Sequence, residues 1–176
     1  TLVVPAFGPY LKLTCVAQLT TTATDIHVAT SGNDDSSCGA PATPCKSIDY
    51  GQTRAVGVGS PKVLVHSGTY DDFILKSGLT VTGGVGGGTT TIDGTVTASV
   101  NGTIENMTIN GTNGTDATGV LVAGGSPLLK NNIINSGTPS GAGSSAYGVR
   151  VTGGSPTIQG GSVTAQAGVD GASASS

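Results

Sequence analysis

The chain has 176 residues, enough for one domain with a real core, and 30 of them are glycine. Four tyrosines, two phenylalanines and no tryptophan argue against a globule packed around large side chains, and favour a narrow core of Val, Ile and Leu with tight corners. A net charge of −3, with seven basic residues and no basic cluster, argues against nucleic acid as a partner, and no apolar run reaches the roughly 20 residues that a membrane-spanning helix needs.

Residues 1–24 read as an apolar arm outside any repeat. Leu2, Val3, Val4, Leu11 and Leu13 are strand-prone, and Cys15 lies beside them. The arm lacks the positive segment of a retained signal peptide, so the chain reads as mature or trimmed. Asp25–Ala29 alternates and predicts the first strand. Asn33, Asp34 and Asp35 follow in a Gly/Ser-rich turn. Their side chains are calcium-ligand types, as are Asp71 and Asp72 further on, but adjacent acids in such turns more often serve as solvated turn residues.

Cys38 and Cys45 flank a short loop of turn formers, which predicts a disulfide between them. Closing so small a loop contributes roughly 2–2.5 kcal/mol on the chain-entropy model. With no histidine nearby and no second cysteine pair, zinc is a poor alternative. Cys15 is then left over, either a buried free thiol or half of an intermolecular bond.

The segment Cys45–Val56 is the best helix candidate, with Ser47 as N-cap. Lys62–Tyr70 reads as a buried strand. Phe73-Ile74-Leu75, Leu79–Thr82 and Thr90-Thr91-Ile92 read as short strands separated by glycine turns. His27 and His66 lie on predicted strands and can stack on adjacent rungs. Neither has an acid or nucleophile beside it in sequence, so both read as wall residues rather than general bases.

The second half repeats itself. Gly119-Val120-Leu121-Val122-Ala123-Gly124-Gly125-Ser126-Pro127 is echoed by Gly148-Val149-Arg150-Val151-Thr152-Gly153-Gly154-Ser155-Pro156. Such a repeat of alternating strands and Gly-rich turns is the signature of a solenoid, whose rungs bury their apolar faces only by stacking. In the same frame Ile104, Leu129 and Ile158 share a column, as do Ile109, Ile134 and Val163. Asn106 and Asn131 coincide as well, predicting an asparagine ladder with Gly160 in the third rung. Asn101, Asn106, Asn110 and Asn113 head Asn-x-Thr sequons. Asn101, Asn110 and Asn113 are the candidate glycan acceptors, since Asn106 is committed to the ladder.

The opening motifs His27-Val28-Ala29-Thr30-Ser31-Gly32-Asn33-Asp34, Cys45-Lys46-Ser47-Ile48, Val63-Leu64-Val65-His66-Ser67-Gly68-Thr69-Tyr70 and Leu75–Gly84 resemble the start of right-handed parallel β-helix proteins. The likeness is greatest to a bacterial cell-surface branch distantly related to pectate lyases. It covers about residues 25–84, and the repeats carry it to about 165. It implies a fold shared by lyases, surface adhesins and other proteins, so activity must be argued from the site.

A lyase or hydrolase on this fold needs clustered charge on one strand face. Glu105, Lys130 and Arg150 are the only charged residues on the strands predicted for the second half, and Glu105 with Lys130 reads as an exposed cross-strand ion pair rather than a catalytic one. The expected protein is all-β: a right-handed parallel β-helix over residues 25–165 with a short N-terminal cap helix, an arm at 1–24 and a small-residue tail at 166–176. Low charge, abundant Ser, Thr and Gly, and the paired cysteines place it outside the cell or on its surface. It is expected to be a non-catalytic structural or interaction protein with no cofactor. Its partner is expected to be itself, in a homo-oligomer or a fibre stacked end to end through Leu2, Val3, Val4, Leu11, Leu13 and Cys15. The alternatives are a relative of polysaccharide lyases or glycosidases, and a module that binds surface polysaccharide.

Overall fold

The computed structural model describes residues 24–169. The arm residues Leu2, Val3, Val4, Leu11, Leu13 and Cys15 lie outside the described residues, as does the tail beyond Val169. In chain order the elements are β1 (Ile26–Val28), α1 (Ile48–Val58), β2 (Lys62–Asp71), β3 (Thr80–Asp93), β4 (Val96–Ala98), β5 (Thr103–Glu105), β6 (Thr108–Asn110), β7 (Asp116–Ala123), β8 (Leu128–Lys130), β9 (Ile133–Asn135), β10 (Ser145–Gly153), β11 (Thr157–Gln159) and β12 (Ser162–Thr164).

Every pairing between these strands is parallel, and the chain winds through about four turns of a three-faced β-helix. Face A stacks β1, β2, the start of β3, β5, β8 and β11. Face B stacks the ends of β2 and β3 with β6, β9 and β12. Face C stacks β4, β7 and β10, with a single bridge from Ile74 to Thr97 below it. The predicted columns are in register: Ile104 opposite Leu129 and Leu129 opposite Ile158, then Ile109 opposite Ile134 and Ile134 opposite Val163. The Gly119 and Gly148 repeats also stack, Val120 on Val149 and Val122 on Val151.

The core follows from the period-2 alternation of the strands. Val28, Val63, Val65, Val81, Ile92, Val96, Ile104, Ile109, Val120 and Val122 point inward and are fully buried, while their neighbours face out. β-branched side chains suit this geometry because their stiff χ1 fits a pleated, half-buried surface.

Two local expectations are corrected. The segment between Thr82 and Thr90 is not a turn separating two strands. β3 runs on through Gly83–Gly88, with register shifts where His66 pairs with Val85. A Cβ at Gly83 would lie 2.6 Å from the Asn106 carbonyl oxygen, so the close approach of two rungs requires glycine there. Phe73-Ile74-Leu75 contributes one bridge rather than a strand.

The column of Asn106 and Asn131 exists, but it is a corner. Both residues are exposed and take positive φ, 59° and 52°, and Gly160 follows at 68°. Asparagine tolerates the left-handed region better than other side chains, and glycine better still. The amide ladder runs elsewhere. Asn132, buried, accepts from the Met107 N–H at 3.0 Å and donates to the Ile104 carbonyl at 2.8 Å. Asn135 Nδ2 donates to Asn110 Oδ1 at 3.0 Å.

Candidate functional site

The first turn is closed by a cap. Cys38 and Cys45 form the expected disulfide, their Cα atoms 4.9 Å apart. The loop they tie supplies a false strand to the outer edge of β1: the His27 N–H donates to the Gly39 carbonyl, the Cys45 N–H to the His27 carbonyl, and the Ala29 N–H to the Cys45 carbonyl, all within 2.8–2.9 Å. The helix α1 lies beside it over the core end. Gly51 packs so closely on Val28 that a Cβ would collide with it. Ser47 is the N-cap as read from the sequence, its side chain accepting from the Tyr50 N–H at 3.3 Å, and Gly59 closes the helix in the left-handed region at φ 71°.

α1 also finishes face C. Asp49 Oδ1 accepts from the Ile74 N–H at 3.3 Å, Gln52 Nε2 donates to the Ile74 carbonyl at 3.0 Å, and Gln52 Oε1 accepts from the Lys76 N–H at 2.8 Å. Gln52 is fully buried, and its amide stands in for the strand that face C lacks at this level.

In the Asn33 loop, the two carboxylates raised as calcium ligands turn onto their own neighbourhood. Asp34 accepts from the Lys46 N–H at 2.8 Å, the Ser47 N–H at 3.0 Å and Ser47 Oγ at 2.7 Å, at the start of α1. Burial raises its pKa, but these hydrogen bonds outweigh burial and hold the carboxyl below its ordinary value. Asp35 accepts from Ser37 Oγ and N and from Asn33 Nδ2, which likewise lowers its pKa. The Asn33 loop is thus a polar turn bonded to itself and to the helix start.

Between this turn, α1 and the end of β2 lies a cleft of about 460 Å³, lined by Thr30, Asp34, Lys46, Asp49, Asp71 and Asp72 among others. Its floor is Thr69-Tyr70-Asp71, the first strand of face B, which is paired on one side only among the described residues. Tyr70 is buried, donates its hydroxyl to the His66 carbonyl at 3.0 Å, and has its pKa raised by that burial. No spacing in the sequence gathers these residues; the turn of the coil does.

The outer faces carry the remaining polar residues. His27 Nδ1 and His66 Nε2 are 3.0 Å apart across β1 and β2, the stacked pair expected of wall histidines. Burial, then the neighbouring His66, pull the His27 pKa down against the opposing pull of Asp25. Lys130 Nζ lies 3.6 Å from Glu105, which also accepts from Thr82 Oγ1 at 2.8 Å. Arg150 meets Asp116 at 2.7 Å and lies over the Tyr147 ring. The sequon asparagines Asn101 and Asn113 are exposed, and each side-chain oxygen accepts a backbone N–H of the next turn, Ser126 at 2.7 Å and Thr138 at 2.6 Å. Asn110 is held by Asn135, as above.

The other end is built differently. In β8, β9 and β7 the inward residues Leu129, Ile134 and Val122 are 1 %, 1 % and 0 % exposed. One rung on, in the same columns, Ile158, Val163 and Val151 are 49 %, 44 % and 51 % exposed. The stretch that follows stacks on the preceding turn, Gln166 N–H donating to Ser136 Oγ and Val169 N–H to the Ser144 carbonyl, and among the described residues the last rung's apolar side chains stay half-exposed.

No family model, curated protein or solved structure matches this chain. The fold itself defines the class: an all-β parallel solenoid with one short helix near its N-terminus and a disulfide-tied cap. No helix among the described residues is long and apolar enough to cross a membrane.

Proposed function

We propose that this chain is an extracellular structural or interaction module that associates through its last rung. The carrying observation is the last rung's half-exposed Ile158, Val163 and Val151 above the fully buried Leu129, Ile134 and Val122. Parallel edges of this kind pair readily unless blocked by charge, proline or a covering element, and β11 and β12 carry no charge. The disulfide supports an oxidising compartment. The resemblance to cell-surface β-helix proteins supports a surface setting, and the ion pairing of Glu105 with Lys130 and of Arg150 with Asp116 supports a structural use of those charges.

The test is association without catalysis. Sedimentation of the full chain should show concentration-dependent association that Val163→Asp weakens. Incubation with pectins and alginates plus calcium should release no unsaturated products. Turnover that Lys130→Ala abolishes would overturn this reading in favour of a lyase relative. The cleft favours a second reading, a polysaccharide-binding module, because Thr30, Ser47 and Thr69 place hydroxyls beside its carboxylates. Calorimetric binding of an uncharged surface glycan, lost in Asp71→Ala, would favour it.

A further inference from the structure

Resting on association through the last rung, we infer that the surface covering this rung is the same rung of a second copy, so that the chain closes into a tail-to-tail dimer and does not grow into a fibre. A fibre needs a head that accepts the tail. At the head, the outer edge of β1 is already bonded to Gly39 and Cys45, and the Ile74–Lys76 edge to Asp49 and Gln52. Among the described residues, only the Thr69–Asp71 edge of face B lies open, within an acid-lined cleft. A tail docked there would leave two of its three faces unmatched, with Ile158 and Val151 still wet.

Two tails meet around the whole rung, one face lying on its own copy and the other two on each other. Turned about a two-fold axis across the solenoid, the strands of one copy meet those of the other edge to edge and antiparallel, and the contact closes at two subunits. The chemistry is self-complementary. From Val151 to Val169 there is no ionisable side chain, and Arg150 is neutralised by Asp116, so two copies approach without like-charge repulsion. Size agrees: an interface of standard area takes about 20–30 residues a side, and the last rung spans residues 145–169.

The experiment is a cysteine scan of the full chain with Cys15→Ser and the Cys38–Cys45 bond intact. Single cysteines replace Thr157, Gln159, Ser162 and Thr164 in turn, followed by mild oxidation and sedimentation. The expected result is a dimer and nothing larger, with at least one position near the axis cross-linking to itself. Ile158→Lys should weaken the dimer at least tenfold while the circular dichroism of the fold is retained. Assemblies larger than two would overturn the closed dimer and leave association through the rung standing. A monomer at every concentration, with the face covered by residues 1–23 or left in water, would overturn both.

Discussion

The first and last turns of this solenoid share one strand frame and treat their outer edges in opposite ways. At the first, a seven-residue separation of cysteines and an 11-residue helix supply substitute partners for faces A and C, down to an amide on Gln52 that mimics a strand. At the last, the columns that bury Leu129 and Ile134 simply run out, and Ile158 and Val163 meet water. The comparison teaches that end closure in a coil is a local purchase made with non-repeating sequence, whereas the repeat itself only reproduces the need for closure.

The comparison breaks hardest at a matched pair of truncations. Leu129→Ala should destabilise the chain by about 2–5 kcal/mol, the cost of a cavity in a packed core, whereas Ile158→Ala in the same column should cost less than about 1.5 kcal/mol in the monomer because half of the side chain is already wet. Denaturant melts at low protein concentration measure both; equal losses would mean that the last rung is covered. Next in size, replacing Cys38 and Cys45 by serine should cost roughly 2–2.5 kcal/mol and leave the association of the last rung unchanged by sedimentation. Gln52→Ala should cost about 1–3 kcal/mol by orphaning the backbone groups of Ile74 and Lys76, and hydrogen exchange should quicken first at Lys76.

The smallest effect is a pH dependence confined to the capped end. His27 has its pKa lowered below the ordinary 6.5, so the folded chain binds this proton less readily than the unfolded one. Its contribution to stability is therefore complete above pH 6.5 and is lost as the pH falls through 6.5 towards the lower folded value. Asp34, lowered in pKa, keeps its contribution through that window and loses it only in stronger acid. Thermal melts across pH 5 to 7 should show a decline in the wild type that His27→Asn flattens.

Much of this was legible in the amino-acid order. The Ile104, Leu129 and Ile158 column, the 119 and 148 repeats, the disulfide and the Ser47 cap all rest on short-range rules of alternation and loop size, which tertiary context left alone. The Asn106 and Asn131 column was legible as a column and misread as a ladder. The clue was its third member: Gly160 shares with asparagine a tolerance for positive φ, not an amide. The edge caps made by Asp34 and Gln52 were not legible, since their partners lie 12 to 24 residues away. The cleft escaped for the same reason, its acids coming from three separate segments. The expected apolar contact of the arm falls outside the described residues, so the proposed association is argued from the half-exposed last rung instead.

The buried amide of Asn132 has a consequence for the order in which the molecule comes apart. It clips its own turn to the backbone of the turn beneath, and Asn101 and Asn113 clip theirs to the backbone of the turn above at two corners. In the final turn Gly161 sits over Asn132, where no side chain of any kind would fit, so this clip is not repeated. A coil sealed by a disulfide at one end and unclipped at the other has a direction in time: in the monomer, amide exchange and protease nicking of the coil should begin at β12 and advance turn by turn towards β1, as a zipper opens from its free end.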